Sequence, residues 1–90
     1  EMCIRDRTKG LAREAGPYAI TVNAVSPALT DTEMTSALAP QARAEVLAQM
    51  PLGRAGTPRD IAAAVCFLAS REAGFVTGEI MDVDGGFMRD

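Results

Sequence analysis

The chain has 90 residues, 48% of them hydrophobic, and a formal net charge of -3. That length holds one small domain at most, and that apolar content excludes a disordered segment. Lys and Arg are scattered singly, so no basic stripe could follow a phosphate backbone and nucleic acid is not an expected partner.

Residues 8–15, Thr-Lys-Gly-Leu-Ala-Arg-Glu-Ala, read as the end of a helix whose Leu11, Ala12 and Ala15 share a face. Gly16-Pro17 supplies the stop, and Glu14 sits against the usual dipole preference. Ile20 to Val25 is β-branched and almost wholly apolar or small, which predicts a strand covered on both faces. Asn23 is its polar exception and reads as an amide satisfied by neighbouring backbone.

From Pro27 to Ser36 the chain is a loop dense in Thr, Asp and Ser. Pro40 to Met50 reads as a helix, with Pro40 in its first turn and Ala42, Val46, Leu47 and Met50 facing inward. Pro51 to Gly56 is a turn segment. Thr57-Pro-Arg-Asp60 has the form of a capping box, with Thr57 as N-cap and Pro58 at the first helical position. The helix that follows, Arg59–Ser70, carries Ile61, Val65 and Leu68 on one stripe beside Ala64 and Phe67. Its apolar run Ile61–Ala69 is too short to span a bilayer and is not N-terminal, so neither a membrane span nor a signal peptide is expected. Gly74 and Gly78 punctuate before a second strand, Glu79 to Gly86, which Gly85-Gly86 end.

Two strands separated by a long, mostly helical stretch make a crossover, which implies a parallel sheet. Such sheets need more than two strands and helices on both faces. The fold class expected is therefore α/β, and the chain reads as the last third of a larger domain. The first seven residues break the pattern: a helix running back from Leu11 should be apolar near positions 7 and 8, yet Arg5-Asp6-Arg7 is charged. Met2-Cys-Ile-Arg-Asp-Arg7 also resembles a string found at the ends of assembled sequences when sequencing adapter is translated. Residues 1–7 are therefore expected to be non-native and 8–90 to be the domain segment; a solvated, charged first turn is the other reading.

Cys3 and Cys66 are the only cysteines, and the chain has no His. Their separation is not a metal spacing, and a zinc site would lack its usual ligands, so no metal is expected. Cys66 lies in Ala62-Ala-Ala-Val-Cys-Phe-Leu-Ala69 and reads as a small buried thiol in a reducing cytoplasm. Without His the commonest general base is missing too.

Thr21-Val-Asn-Ala-Val-Ser-Pro27, then Asp31-Thr32, Gly53-Arg54 and Asp84-Gly-Gly86, together resemble the short-chain dehydrogenase/reductase family, most closely its 3-oxoacyl-acyl-carrier-protein reductase branch. The resemblance runs through residues 8–90. It implies a Rossmann-type, doubly wound parallel sheet binding NADP or NAD, with NADP favoured, and this chain supplying the last two strands and their helices. The family works with a Ser and a Tyr-x-x-x-Lys motif. By the family's spacing the Lys would fall at position 1, which is Glu1, and the Tyr would precede it; Tyr18 is followed four residues later by Val22 and does not qualify. The catalytic groups are thus expected outside this chain.

What remains by resemblance is the nicotinamide end of the cofactor. The family's Pro-Gly-x-x-x-Thr loop corresponds to Pro27-Ala28-Leu29-Thr30-Asp31-Thr32. The resemblance assigns Pro27 to the ring, the Thr30 backbone to the carboxamide and the Thr32 hydroxyl to the same amide. An amide needs both a donor and an acceptor, which such groups provide. Read without the resemblance, Thr30-Asp31-Thr32 is a turn or capping cluster. Ala28 departs from the family's Gly and would be strained if that position needs a positive φ.

Residues 33–50 correspond to the family's substrate lid. Met34, Leu38, Val46 and Met50 fit an acyl channel or a packed helix face equally. The final helix and the strand Ile80–Val83 resemble the family's tetramer surfaces. The expected function is that of part of an NAD(P)-dependent oxidoreductase that reduces a ketone, a 3-oxoacyl thioester foremost, to an alcohol. The alternative is an inactive truncated member that acts as a binding or oligomerisation partner.

Overall fold

The computed structural model describes residues 2–30 and 39–87. Helix α1 spans Met2–Ala15 and includes the charged run Arg5-Asp6-Arg7. Arg5, Asp6 and Arg7 are all exposed. The inward positions are Thr8 and Ala12, both buried, and Leu11 is instead 47% exposed. Thr8 can occupy an inward position because its hydroxyl donates to the Ile4 carbonyl at 2.8 Å, one turn back, and is satisfied within the helix. A 3₁₀ turn, Gly16–Tyr18, ends α1 and closes on Ala19, which takes a left-handed conformation at φ 60°.

Strand β1 is Ala24–Pro27, displaced from the predicted Ile20–Val25, and Ile20 is 56% exposed. The physical reason lies in residues 22 and 23, where side chains make most of the cross-strand bonds and the backbone adds only one, from the Gly78 N–H to the Val22 carbonyl at 2.7 Å. The Val22 N–H donates to the Thr77 hydroxyl at 3.0 Å. The Asn23 amide donates to the Val76 carbonyl at 3.1 Å and accepts from the Glu79 N–H at 3.0 Å, the satisfaction by backbone that its position predicts. The regular backbone ladder begins at Ala24, whose N–H donates to the Glu79 carbonyl at 2.9 Å. Pro27 stands at the last pair, where its missing N–H interrupts nothing further along.

Helix α2 covers Pro40–Ala48 and α3 covers Pro58–Leu68. Strand β2, Ile80–Val83, lies parallel to β1 with Ala24 opposite Ile80 and Pro27 opposite Val83. The expected crossover and parallel pairing are therefore present. Ser26, Ile80 and Asp82 line a cavity on the α1 side and Asn23 one on the α3 side, while Ala24 and Val25 border both. The sheet thus carries a helix on each face. On the α1 side, Lys9 Nζ donates to the Gly78 carbonyl at 2.8 Å and ties the helix to the entry of β2.

Thr57 caps α3 reciprocally with Asp60, as the sequence predicts. Leu68 is buried and Ile61 and Ala64 are half-buried against the sheet, but Val65 and Phe67 remain 48% and 44% exposed. Cys66 is exposed, not buried. One residue past Val65, a step of about 100° around the helix turns it away from the sheet.

The buried cluster is Leu29, Met50 and Ala55, with Val46, Leu47 and Phe87 packed against it. It sits just beyond the strand ends, and α2 reaches it through its C-terminal half alone. Ala42, one turn earlier, is exposed for that reason. No helix among the described residues is long and apolar enough to cross a membrane.

Candidate functional site

Parallel strands end on the same side, so whatever follows β1 and β2 meets beyond one edge of the sheet. After β1, Leu29 drops into the buried cluster, and Thr30 forms a parallel bridge with Gly56. The bond that joins them runs from the Gly56 N–H to the Leu29 carbonyl, 2.9 Å. After β2, the Asp84 carboxylate accepts the Gly86 N–H at 3.0 Å and folds a tight turn, while Leu52 N–H donates to the Gly85 carbonyl at 3.1 Å. Between these two loops a cavity of about 220 Å³ opens, lined by Leu29, Met50, Leu52, Arg54 and Asp84 among others.

The segment from Arg54 to Asp60 is closed by one carboxylate. Asp60 Oδ2 accepts from Arg54 Nη1 at 2.9 Å, from the Thr57 N–H at 2.8 Å and from the Thr57 hydroxyl at 3.1 Å. The same Arg54 nitrogen donates to the Ala55 carbonyl at 3.1 Å. The Arg54 hydrogen bond, followed by the Thr57 N–H and hydroxyl, holds the Asp60 carboxyl well below the usual range, at about 2. Its own bond to Asp60 raises the Arg54 guanidinium in turn.

The sequence-assigned residues distribute unevenly over this edge. Thr30 is half-buried beside Gly56, next to the cavity wall formed by Leu29. Pro27 is exposed at the end of β1 and lines a second cavity of about 320 Å³ on the α1 side, with Ser26, Arg5 and Asp82. Thr32 lies outside the described residues, as do Met34 and Leu38. Among the described residues the only non-glycine with positive φ is Ala19, so Ala28 fits its position without the strain its methyl group could have caused. Met50 belongs to the packed cluster, with Val46 against it, and Met50 also lines the cavity of about 220 Å³.

The Arg54–Asp60 pair is the feature that sequence reasoning left out. Thr57-x-x-Asp60 is legible as a helix cap, but nothing in the spacing tells that the same carboxylate also takes a guanidinium three residues before the cap.

Parallel strands, a helix on each face and loops converging beyond the strand ends define part of a Rossmann-type doubly wound α/β fold. A family model described as enoyl-(acyl carrier protein) reductase matches residues 3–88. The chain is 52% identical over 79 residues to the 3-oxoacyl-acyl-carrier-protein reductase FabG of Vibrio cholerae, a match covering 88% of this chain and 32% of that protein. It is 49% identical over 85 residues to the 3alpha-hydroxysteroid dehydrogenase of Mediterraneibacter gnavus, covering 94% of this chain and 34% of that one. The crystal structure of a 3-oxoacyl-acyl-carrier-protein reductase from Brucella melitensis superposes with a TM-score of 0.94 at 42% identity, over 98% of this chain and 33% of that one. The chain belongs to the short-chain dehydrogenase/reductase family. It spans about a third of the length of the curated relatives it matches.

Proposed function

We propose that this chain forms the nicotinamide-side edge of an NAD(P)-dependent oxidoreductase that reduces a ketone to an alcohol, with a 3-oxoacyl thioester as substrate. The observation that carries the reading is the meeting of the Leu29–Thr30 loop, the Gly56 backbone and the Asp84–Gly86 turn beyond the carboxyl ends of two parallel strands. That is where ligands of open α/β sheets bind.

The residues present suit a nicotinamide. Pro27 offers an exposed apolar ring at the strand end, and Thr30 adds a hydroxyl and backbone groups within three residues of it. Pro27 would pack by the ring, while Thr30 and Thr32 would hold the carboxamide and so select which face of the ring points to the substrate. When bound, the cofactor supplies the hydride. The short hydrogen-bonded loop keeps its grip in one geometry, and the packed cluster of Leu29, Met50 and Ala55 excludes water from beneath it. The Ser, Tyr and Lys that handle the substrate carbonyl and its proton are assigned to sequence outside this chain.

NADP is favoured over NAD, the setting is cytoplasmic, and the assembled enzyme is a homotetramer. Similarity to FabG proteins supports the acyl thioester; similarity to the hydroxysteroid dehydrogenase is the competing substrate class. The test is to produce the protein from its complete gene and follow NADPH consumption with acetoacetyl thioester and with a 3-oxosteroid. Turnover of the thioester is expected; turnover of the steroid alone would replace the substrate, and turnover of neither would end the oxidoreductase reading. The 90-residue chain purified alone is expected to reduce neither, and micromolar NADPH binding by it would contradict that.

A second reading, association with another copy without catalysis, has the exposed Val65 and Phe67 of α3 in its favour. It predicts that the purified chain sediments as a complex with a full-length family member.

A further inference from the structure

Three features of the Arg54–Asp60 segment act on one point of the proposed cofactor loop. Asp60 gathers Arg54 and Thr57 on a single carboxylate oxygen. The segment they close contains Ala55, whose side chain is buried in the cluster with Leu29, and whose carbonyl takes a bond from Arg54. It also contains Gly56, whose N–H donates to the Leu29 carbonyl. A Cβ on Gly56 would lie 3.7 Å from both the Leu29 carbonyl oxygen and the Thr30 hydroxyl, and 3.9 Å from Asp60 Oδ2. Loop and clamp are therefore in direct contact across that glycine.

We propose that Arg54 and Asp60 are positioning residues that set the conformation of the Leu29–Thr30 loop through Gly56, and through it the affinity for the nicotinamide cofactor. The inference rests on the cofactor reading above, since it assigns the loop its ligand. The physical route is short. With an uncharged amide in place of the carboxylate, the bonds from the Thr57 N–H and the Arg54 guanidinium weaken, and the backbone between them rests on the burial of Ala55, the Arg54 bond to its carbonyl and the Gly56 bond to Leu29. Gly56 then donates to Leu29 from a more loosely held segment. A network with this geometry couples a surface pair to a binding loop without touching the ligand.

The experiment uses the protein from its complete gene. Asp60→Asn and Arg54→Met are compared with Arg54→Lys, which keeps a donor, and with Leu68→Ala, which removes packing at the opposite end of α3. Three quantities are read: hydrogen exchange of the Gly56 amide, NADPH dissociation constant by fluorescence, and melting temperature. Asp60→Asn and Arg54→Met should speed exchange at Gly56 and weaken NADPH binding between about 3- and 30-fold. Arg54→Lys should recover part of both. Leu68→Ala should lower the melting temperature by at least as much while leaving the dissociation constant, measured well below melting, unchanged.

If Gly56 exchange is the same in Asp60→Asn as in the unmodified protein, the positioning role is wrong. If Leu68→Ala weakens NADPH binding as much as Asp60→Asn, the effect is general destabilisation and the proposal also fails. An unmodified protein that binds no NADPH but whose Gly56 amide responds to Asp60→Asn would remove the cofactor reading, and the clamp on the loop would stand.

Discussion

Gly86 holds the turn after β2 in a conformation that an L-residue resists, and it does so against a rigid neighbour. Its φ is 86°, and a Cβ placed on it would meet Pro51 Cγ at 2.9 Å, Cδ at 3.1 Å and Cβ at 3.2 Å. A pyrrolidine ring cannot swing aside as a long side chain can, so the backbone of one of the two turns has to shift. Gly53 is the internal control: its φ is 70°, yet nothing lies within 4 Å of its added Cβ. Gly53→Ala therefore measures the conformational cost alone, about 1 kcal/mol. Gly86→Ala adds an overpacking cost of about 1–3 kcal/mol, for a total of about 2–4 kcal/mol. With a urea slope near ~3 kcal/mol/M, the midpoint falls by ~0.3 M for Gly53→Ala and by ~1 M for Gly86→Ala. The comparison is made at one protein concentration, because any association adds to apparent stability. Equal shifts in the two variants would refute the argument, since the contact with Pro51 would then contribute nothing.

Three other perturbations follow from the same structure. Asp60 titrates at about 2 in the fold against an ordinary 3.8, so its contribution to stability is complete above pH 3.8 and is lost as pH falls through about 2. The melting-temperature gap between the unmodified protein and Asp60→Asn should therefore narrow from pH 5 to pH 2; a constant gap would deny the carboxylate its role. Met50 is 4% exposed in the buried cluster, and Met50→Ala should cost about 2–4 kcal/mol in urea unfolding, with a loss below 1 kcal/mol pointing to a site that collapses freely. Asn23→Ala removes both side-chain bonds that start the β1–β2 pairing, at about 1–3 kcal/mol, and should raise hydrogen exchange at the Glu79 amide above that at Ala24.

Several elements were legible without coordinates because their signals are local. Thr57-Pro-Arg-Asp60 announces a helix start by cap chemistry alone, and the reciprocal bonds are there. Asn23 within an apolar run had to find backbone partners, and it has two. The parallel sheet followed from the long crossover, which admits no hairpin. Boundaries were less legible. The apolar character of Ile20 to Val25 marked a strand, but the side chains of Thr77 and Asn23 take most of the first cross-strand bonds, so regular pairing starts only at Ala24. Arg5-Asp6-Arg7 broke the apolar periodicity and yet lies within α1, because a helix needs an inward face only where it touches something.

The candidate site divides in the same way. Pro27, Thr30 and Thr32 were chosen by motif, which orders residues along the chain but does not say what lies across from them. The apolar periodicity, caps and turn glycines are properties of neighbours in sequence, and they by themselves determined the helices, the two strands and their parallel sense. The bond from Gly56 to Leu29, the capture of Arg54 and Thr57 by one Asp60 oxygen, and the exposure of Cys66, Leu11 and Val65 were decided only in three dimensions. Leu29 and Gly56 lie far apart in sequence, and no local preference of either selects the other; chain closure around the buried cluster brings them together.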